Sequence, residues 1–301
     1  MKKVTEKQFT VESDGSVTVS RPDAAQMLLY DGGLPGRLAL AVMTSPAVSK
    51  LAGAWMSSPC SVSMIDGFIR KNGIDMSEYE SVPYASFNDF FTRRLLPGRR
   101  PVDGDPDALV SPADARVSAY KLSAGAAFFI KGVPYTVRSL LRDGTLAEKF
   151  AGGICLVFRL AVDDYHRYCF FDGGRIIAAR AIEGVLHTVN PVSLGKYCVY
   201  AENSREYTVM ETRSFGLAVQ AEIGAMLVGK ICNHKDAGSF ERGEEKGYFE
   251  FGGSTVVLLL RRGSARIRAD IVKNTLAGAE TRVKLGERIG ARGVLMSGAG
   301  K

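Results

Sequence analysis

Phe251-Gly252-Gly253-Ser254-Thr255 runs directly into Val256-Val257-Leu258-Leu259-Leu260. A short, unbroken apolar run of this kind is a buried strand. The two glycines ahead of it open backbone conformations closed to any residue with a Cβ. Such a site can hold a peptide bond in a strained geometry, so that the next side chain reaches the preceding carbonyl. Ser254 is therefore placed to attack the carbonyl of Gly253. Read alone, the stretch is more simply a glycine kink entering a core strand, and the rest of the chain has to decide between the two.

Working outward from this strand, the chain from Ala108 onward is mostly β. Short apolar runs bounded by glycines fall at 117–122, 127–130, 154–160, 175–183, 197–201, 207–211, 217–223 and 248–251, with one helix over 137–142. That spacing predicts a barrel or sandwich. Upstream, residues 1–20 alternate polar and apolar around Asp14-Gly15, a hairpin signal. Residues 23–72 turn helical, broken at Gly32-Gly33-Leu34-Pro35-Gly36 and again at Pro46 and Pro59. Ser86, with Asp89 three residues on, starts a further helix. Asp103-Gly104-Asp105-Pro106-Asp107 marks the shift in composition. The expected fold is α+β: a helical, membrane-associating region over 1–107 and a mostly antiparallel β barrel or sandwich core over 108–301.

With 301 residues and 46% hydrophobic content, the chain buries a substantial core and is not disordered. Its net charge of +7 suits an acidic partner, either nucleic acid or an anionic membrane surface. The five cysteines include no C-x-x-C pair, which argues against a disulfide framework and a zinc site, so no metal is expected. The first residues lack the apolar core of a secretory signal, and no run of about 18 apolar residues offers a membrane span. Leu38, Leu40, Met43, Leu51, Trp55 and Met56, with Arg37, Lys50, Arg70 and Lys71 nearby, suit helices lying in a membrane interface. The alternative is that these helices pack on the core.

Candidate chemistry concentrates in a few places. Asp114, in Ser111-Pro112-Ala113-Asp114, is either a turn residue or a carboxylate that orients a histidine. The three histidines, His166, His187 and His234, are candidate general bases, because imidazole alone titrates near neutrality without perturbation. Arg93, Arg94, Arg99 and Arg100 form a basic cluster suited to phosphate or to solvent.

Taken in order, several blocks resemble the phosphatidylserine decarboxylase family. They are 90–102 (Phe90-Phe91-Thr92-Arg93-Arg94 through Arg100-Pro101-Val102), Ser111-Pro112-Ala113-Asp114, Asp164-Tyr165-His166-Arg167, Val189-Asn190-Pro191, 224–231, 242–256 and 283–290. The block at 242–256 is similar to the family's processing site, an L-G-S-T-type motif, with Gly252 in the leucine position. The resemblance implies a proenzyme that cuts itself between Gly253 and Ser254. The products would be a large chain, 1–253, and a small chain, 254–301, the latter carrying a pyruvoyl group made from Ser254. That covalent cofactor would condense with the substrate amine and accept electrons as carbon dioxide leaves. Phosphatidylserine would become phosphatidylethanolamine at the cytoplasmic face of the cell membrane. The protein would be peripheral, without nucleic acid as partner, and a homodimer is compatible.

The resemblance also implies Asp114, His166 and Ser254 as the self-cleavage set. Many relatives carry a second histidine three residues after the first, but here that position is Cys169. His187 then stands as proton donor in decarboxylation. Two alternatives stay open: the histidine roles are reversed, or the Cys169 thiol is the base. At the level of function the alternatives are a pyruvoyl decarboxylase of another serine lipid or a soluble amino acid, and a non-enzymatic basic membrane-binding barrel.

Overall fold

The computed structural model describes residues 8–20, 46–122, 128–130, 133–183, 204–224, 230–251 and 254–293. In chain order the strands are β1 (Gln8–Val11), β2 (Val17–Ser20), β3 (Ala108–Val110), β4 (Ala115–Lys121), β5 (Phe128–Ile130), β6 (Val133–Tyr135), β7 (Ile154–Leu160), β8 (Arg167–Cys169), β9 (Gly174–Ile182), β10 (Arg205–Thr212), β11 (Gly216–Ile223), β12 (Ile231–Asn233), β13 (Gly238–Phe240), β14 (Glu245–Phe249), β15 (Ser254–Leu260), β16 (Ala265–Ile267), β17 (Ala279–Val283) and β18 (Arg288–Arg292). The helices are α1 (Pro46–Met56), α2 (Ile65–Asn72), α3 (Phe87–Phe91), α4 (Val137–Leu141), α5 (Gly144–Glu148) and α6 (Ala269–Leu276).

The α+β class holds, and among the described strands only β1 and β17 pair in parallel. The barrel does not hold. The main sheet has ten strands in the order β13-β9-β10-β11-β15-β7-β4-β17-β1-β2, and its two ends do not meet. Regular strand spacing is shared by barrels and open sheets, and here packed layers bury central strands such as β7 and β15, as a barrel wall would also do. A three-residue strand, β13, closes one edge and the predicted N-terminal hairpin, β1–β2, the other. Short edge strands limit pairing with other chains.

β15 lies between β11 and β7, antiparallel to both. Val256 to Leu260 are all fully buried. At about 1.5–3 kcal/mol for each large apolar side chain taken from water, this strand is a major stabilising element. Its side chains alternate between two cores. Val256, Leu258 and Leu260 face a layer that includes Tyr168, Phe170 and Phe249 from the β12-β14-β8 sheet and its flank. Val257 and Leu259 face Leu140, Leu141 and Phe150 around α4 and α5. By the same alternation Ser254 shares the Val256 face.

A third core belongs to the N-terminal helices. Ile65, Phe87, Phe90 and Phe91 pack with Tyr79 and Tyr165, and Phe251 joins them. The Phe251 ring stands edge-on to Phe87 and Phe91, with centroids 5.0 and 5.2 Å away. The helix over 87–91 starts as its capping serine requires: Ser86 Oγ accepts from the Asp89 amide at 3.2 Å. Phe251 thus joins the apolar helical cluster, and Ser254, three residues on, opens the central strand. The expected strand at 197–201 and part of the helical region before residue 46 lie outside the described residues.

Candidate active site

Ser254 opens β15, opposite Leu160 of β7. It is fully buried, and its Oγ has no hydrogen-bond partner. A hydroxyl held away from water without a partner carries a desolvation cost of about 1–3 kcal/mol, and the neighbouring Thr255 Oγ1 is unpartnered too. Gly252 and Gly253 lie outside the described residues.

His166 precedes β8 and is also fully buried. Its Nδ1 lies 2.9 Å from the Asp164 carbonyl. A carbonyl only accepts, so Nδ1 carries the proton and Nε2 presents its lone pair. That Nε2 has no partner. The imidazole lies against the Phe91 ring, with centroids 3.9 Å apart. Burial pushes its pKa down to about 3, and the charge of Arg93 adds to the effect. His166 is thus a neutral imidazole in the tautomer a general base requires.

Asp114 is buried, but its carboxylate is not bonded to His166. Arg100 Nε lies 2.9 and 3.0 Å from its two oxygens, and Arg100 Nη2 is 2.7 Å from Oδ2. The Leu285 amide donates to Oδ1 at 2.8 Å. The same guanidinium clamps Glu78 at 2.9 and 3.1 Å. The expected direct Asp114–His166 pair is therefore corrected: a guanidinium and a backbone amide engage both carboxylate oxygens, and His166 takes a carbonyl instead. The link from the Asp114 turn to the histidine strand runs through backbone, since Cys169 donates its amide to the Pro112 carbonyl at 2.8 Å.

Cys169 lies buried on β8, its Sγ 3.9 Å from the Ser111 carbonyl. Burial pushes its thiol up to about 12, so it is neutral. Arg167, the neighbour a thiolate would need, instead binds Glu245 and the Thr92 carbonyl, each at 2.7 Å. His187 lies outside the described residues, as do Val189-Asn190-Pro191 and most of 224–231. His234 is on the surface, 2.7 Å from Glu245 Oε1.

The basic cluster separates. Arg100 is spent on Glu78 and Asp114, and Arg99 reaches the Ser77 carbonyl at 3.2 Å. Arg93 is buried, its guanidinium 4.3 and 4.9 Å from the centroids of Tyr79 and Phe90. Its Nη2 touches Tyr79 Oη and the Asp163 carbonyl at 3.4 and 3.5 Å, while Nε and Nη1 have no partner.

Two features escaped the sequence reading. Asp164, two residues before His166, is buried and binds Arg116 at 2.6 Å, Arg282 at 3.1 Å and the Ala161 amide at 2.7 Å. These bonds fix the turn whose carbonyl holds His166. The available signal was an acid beside a histidine just after a strand. Glu222 and Lys246, both inaccessible to solvent, pair at 2.7 Å. Glu222 sits opposite Val256, on the face Ser254 shares. Asn233 accepts from Lys246 at 2.8 Å, and Gln220 donates to Glu222 at 3.2 Å. Nothing in the sequence joins these distant positions.

This geometry can be set beside known proteins. The model of the phosphatidylserine decarboxylase family matches residues 87–291. The chain is 46% identical over 256 residues to phosphatidylserine decarboxylase proenzyme 2 of Clostridium acetobutylicum, covering 85% of this chain and 88% of the relative. It is 40% identical over 261 residues to the phosphatidylserine decarboxylase proenzyme of Fusobacterium nucleatum (85% and 87%). To that of Clostridium perfringens it is 39% identical over 247 residues (80% and 84%). The matched span takes in α3, the Asp114 turn, His166 and the whole of β15, and on these grounds the chain belongs to the phosphatidylserine decarboxylase family.

Proposed function

We propose that this chain is a proenzyme that cuts itself before Ser254 and then decarboxylates phosphatidylserine to phosphatidylethanolamine. The observation that carries the reading is that Ser254 Oγ and His166 Nε2 are each buried without a partner, with no hydrogen bond between them, in a chain whose relatives are named proenzymes. His166 Nε2 takes the Ser254 hydroxyl proton as Oγ attacks the Gly253 carbonyl, and the amide becomes an ester. Loss of the Cα proton breaks the Cβ–Oγ bond, freeing the Gly253 carboxylate and leaving dehydroalanine. Water then replaces the nitrogen, which departs as ammonia. A serine at the buried start of a central strand, with no protein group bound to its oxygen, fits this conversion. The resulting pyruvoyl group supplies a carbonyl that condenses with an amine and accepts electrons as carbon dioxide leaves.

Asp114 belongs to the proposed set as a positioning residue, bracing the turn that holds β8. His187 is the proposed proton donor in decarboxylation. His166→Ala then accumulates uncut precursor, and His187→Ala cuts normally but turns over slowly.

Membrane attachment is part of the same proposal. The helical segments before residue 108 would lie on the cytoplasmic face of the cell membrane and pass lipid to the β-rich core at 108–301. Leu51 and Trp55, one turn apart on α1, are 71% and 46% exposed, which supports a membrane-facing side. No helix among the described residues is long and apolar enough to cross a bilayer.

The test is an assay of the purified, processed protein with phosphatidylserine in anionic vesicles and, separately, with free serine. Carbon dioxide from the lipid alone is expected; release from free serine alone overturns the substrate assignment. Vesicle binding should fall in the Leu51→Asp, Trp55→Ala double variant, and undiminished binding overturns the docking face.

A further inference from the structure

The Phe251 amide lies two residues upstream of the bond proposed to break, and no strand or turn satisfies it. It donates to Asn88 Oδ1 at 3.1 Å, across 163 positions of sequence. Asn88 is 6% exposed, on α3. Its Nδ2 donates to Ser57 Oγ at 2.9 Å, which fixes the orientation of the side-chain amide and leaves Oδ1 facing Phe251. The Asn88 carbonyl is held in turn by the amide and hydroxyl of Thr92, each at 3.0 Å. The Phe251 ring is gripped as well, by Phe87 and Phe91 and by Phe68 at 6.5 Å.

The residue before Gly252-Gly253 is thus fixed at backbone and side chain alike. The residue after them, Ser254, is fixed by β7. Between the two anchors stand the two residues with the greatest backbone freedom. An intramolecular attack depends steeply on the placement of its partners, and a displacement of about 1 Å can cost about a hundredfold in rate.

We propose that Asn88 is a positioning residue for self-cleavage, fixing the upstream end of the Gly252-Gly253 span so that the Gly253 carbonyl stays within reach of Ser254 Oγ. The inference rests on the self-processing reading above. Asn88 touches neither reacting atom and acts through Phe251. Its contribution ends with the cut, so the processed enzyme turns over without needing it.

The experiment follows newly translated full-length chain as it splits in two, for wild type, Asn88→Leu, Asn88→Asp and Ser57→Ala. Asn88→Leu matches the shape but removes the acceptor, and its splitting should slow by about 10- to 100-fold. Asn88→Asp keeps an oxygen toward Phe251, and the Ser57 hydroxyl can turn to donate to it; its rate should stay within about threefold of wild type. Ser57→Ala frees the side-chain amide to rotate and should show a smaller slowing, which keeps the question open to test if Asn88→Leu fails to fold. Hydroxylamine, which cleaves esters, should not speed Asn88→Leu, because the slow step precedes the ester. Turnover per pyruvoyl group in the fraction that does split should match wild type. Wild-type speed in Asn88→Leu overturns the role. So do an equal loss in Asn88→Asp, ester accumulation, or turnover falling in proportion to splitting. A wild-type chain that stays whole overturns the self-processing reading and this role with it, whereas equal splitting of wild type and Asn88→Leu overturns the role alone.

Discussion

Asp114 and Ser254 are both buried and polar, yet the first has both oxygens engaged and the second has none. The contrast extends to their surroundings. Asp164 is held by two arginines and an amide, and Glu222 by Lys246 and Gln220. His166 Nε2 and two nitrogens of Arg93 join Ser254 Oγ among the unengaged atoms. A buried charge needs a partner, and the paired groups are scaffold: they tie turns and sheets together around the site. Thr10 Oγ1, Gln220 Oε1 and Thr255 Oγ1 are unengaged as well. The lesson is that neither burial nor a missing partner marks a reactive residue by itself; the two together point to chemistry only at a group able to act as nucleophile or base.

The sharpest way to break this division is to exchange the two kinds of residue. His166→Ala removes the free Nε2 and should slow splitting by about 10²- to 10⁴-fold, and deleting a buried ring also lowers stability. Measured by the rate of chain separation under conditions where the variant stays folded, splitting at the wild-type rate would move His166 to the scaffold. Lys246→Met should do the reverse. It leaves Glu222 buried and alone, at a cost of about 3–5 kcal/mol, read by denaturant unfolding in a Ser254→Ala background. Adding Glu222→Leu should recover most of that loss. If the single variant is as stable as the parent, the pair is not scaffold.

A finer test uses pH. The folded-state pKa of His166 lies at about 3, below its ordinary 6.5. Its base form therefore persists in the folded precursor well below neutrality, and splitting should hold its rate from about pH 8 down to about pH 5. The folded chain binds fewer protons than the unfolded one between the two values, so this residue's contribution to stability is complete above 6.5 and lost as pH falls toward 3. A rate that halves near pH 6.5 would mean that the imidazole is solvated in the working precursor.

Ser254 and His166 were legible in the sequence, and most of the scaffold that holds them was not. Two glycines before an apolar run left a simple kink open, and three histidines were equal candidates; the ordered blocks that resemble the family singled out Ser254 and His166. The hairpin at Asp14-Gly15 and the cap at Ser86 were local signals and appear where expected. Asp114 was legible as a buried acid but not in its partner, because Arg100 competes for the carboxylate and the histidine finds a carbonyl. A backbone acceptor carries no residue type and cannot be read from composition. The same holds for the reach of Asn88 to Phe251 and for the Glu222–Lys246 pair, which exist only once distant strands are in register. The open sheet was missed for a related reason: closure depends on twist and edges, not on strand spacing.

The central claim, that Ser254 breaks its own chain, is tested most directly by the intact mass of the smaller product. The account predicts a fragment of residues 254–301 that is lighter than a serine-initiated peptide by the mass of ammonia. It predicts no fragment from Ser254→Ala, which should remain one chain of 32.5 kDa. A fragment that begins with an unmodified serine amine, or any cut in Ser254→Ala at this position, would contradict it.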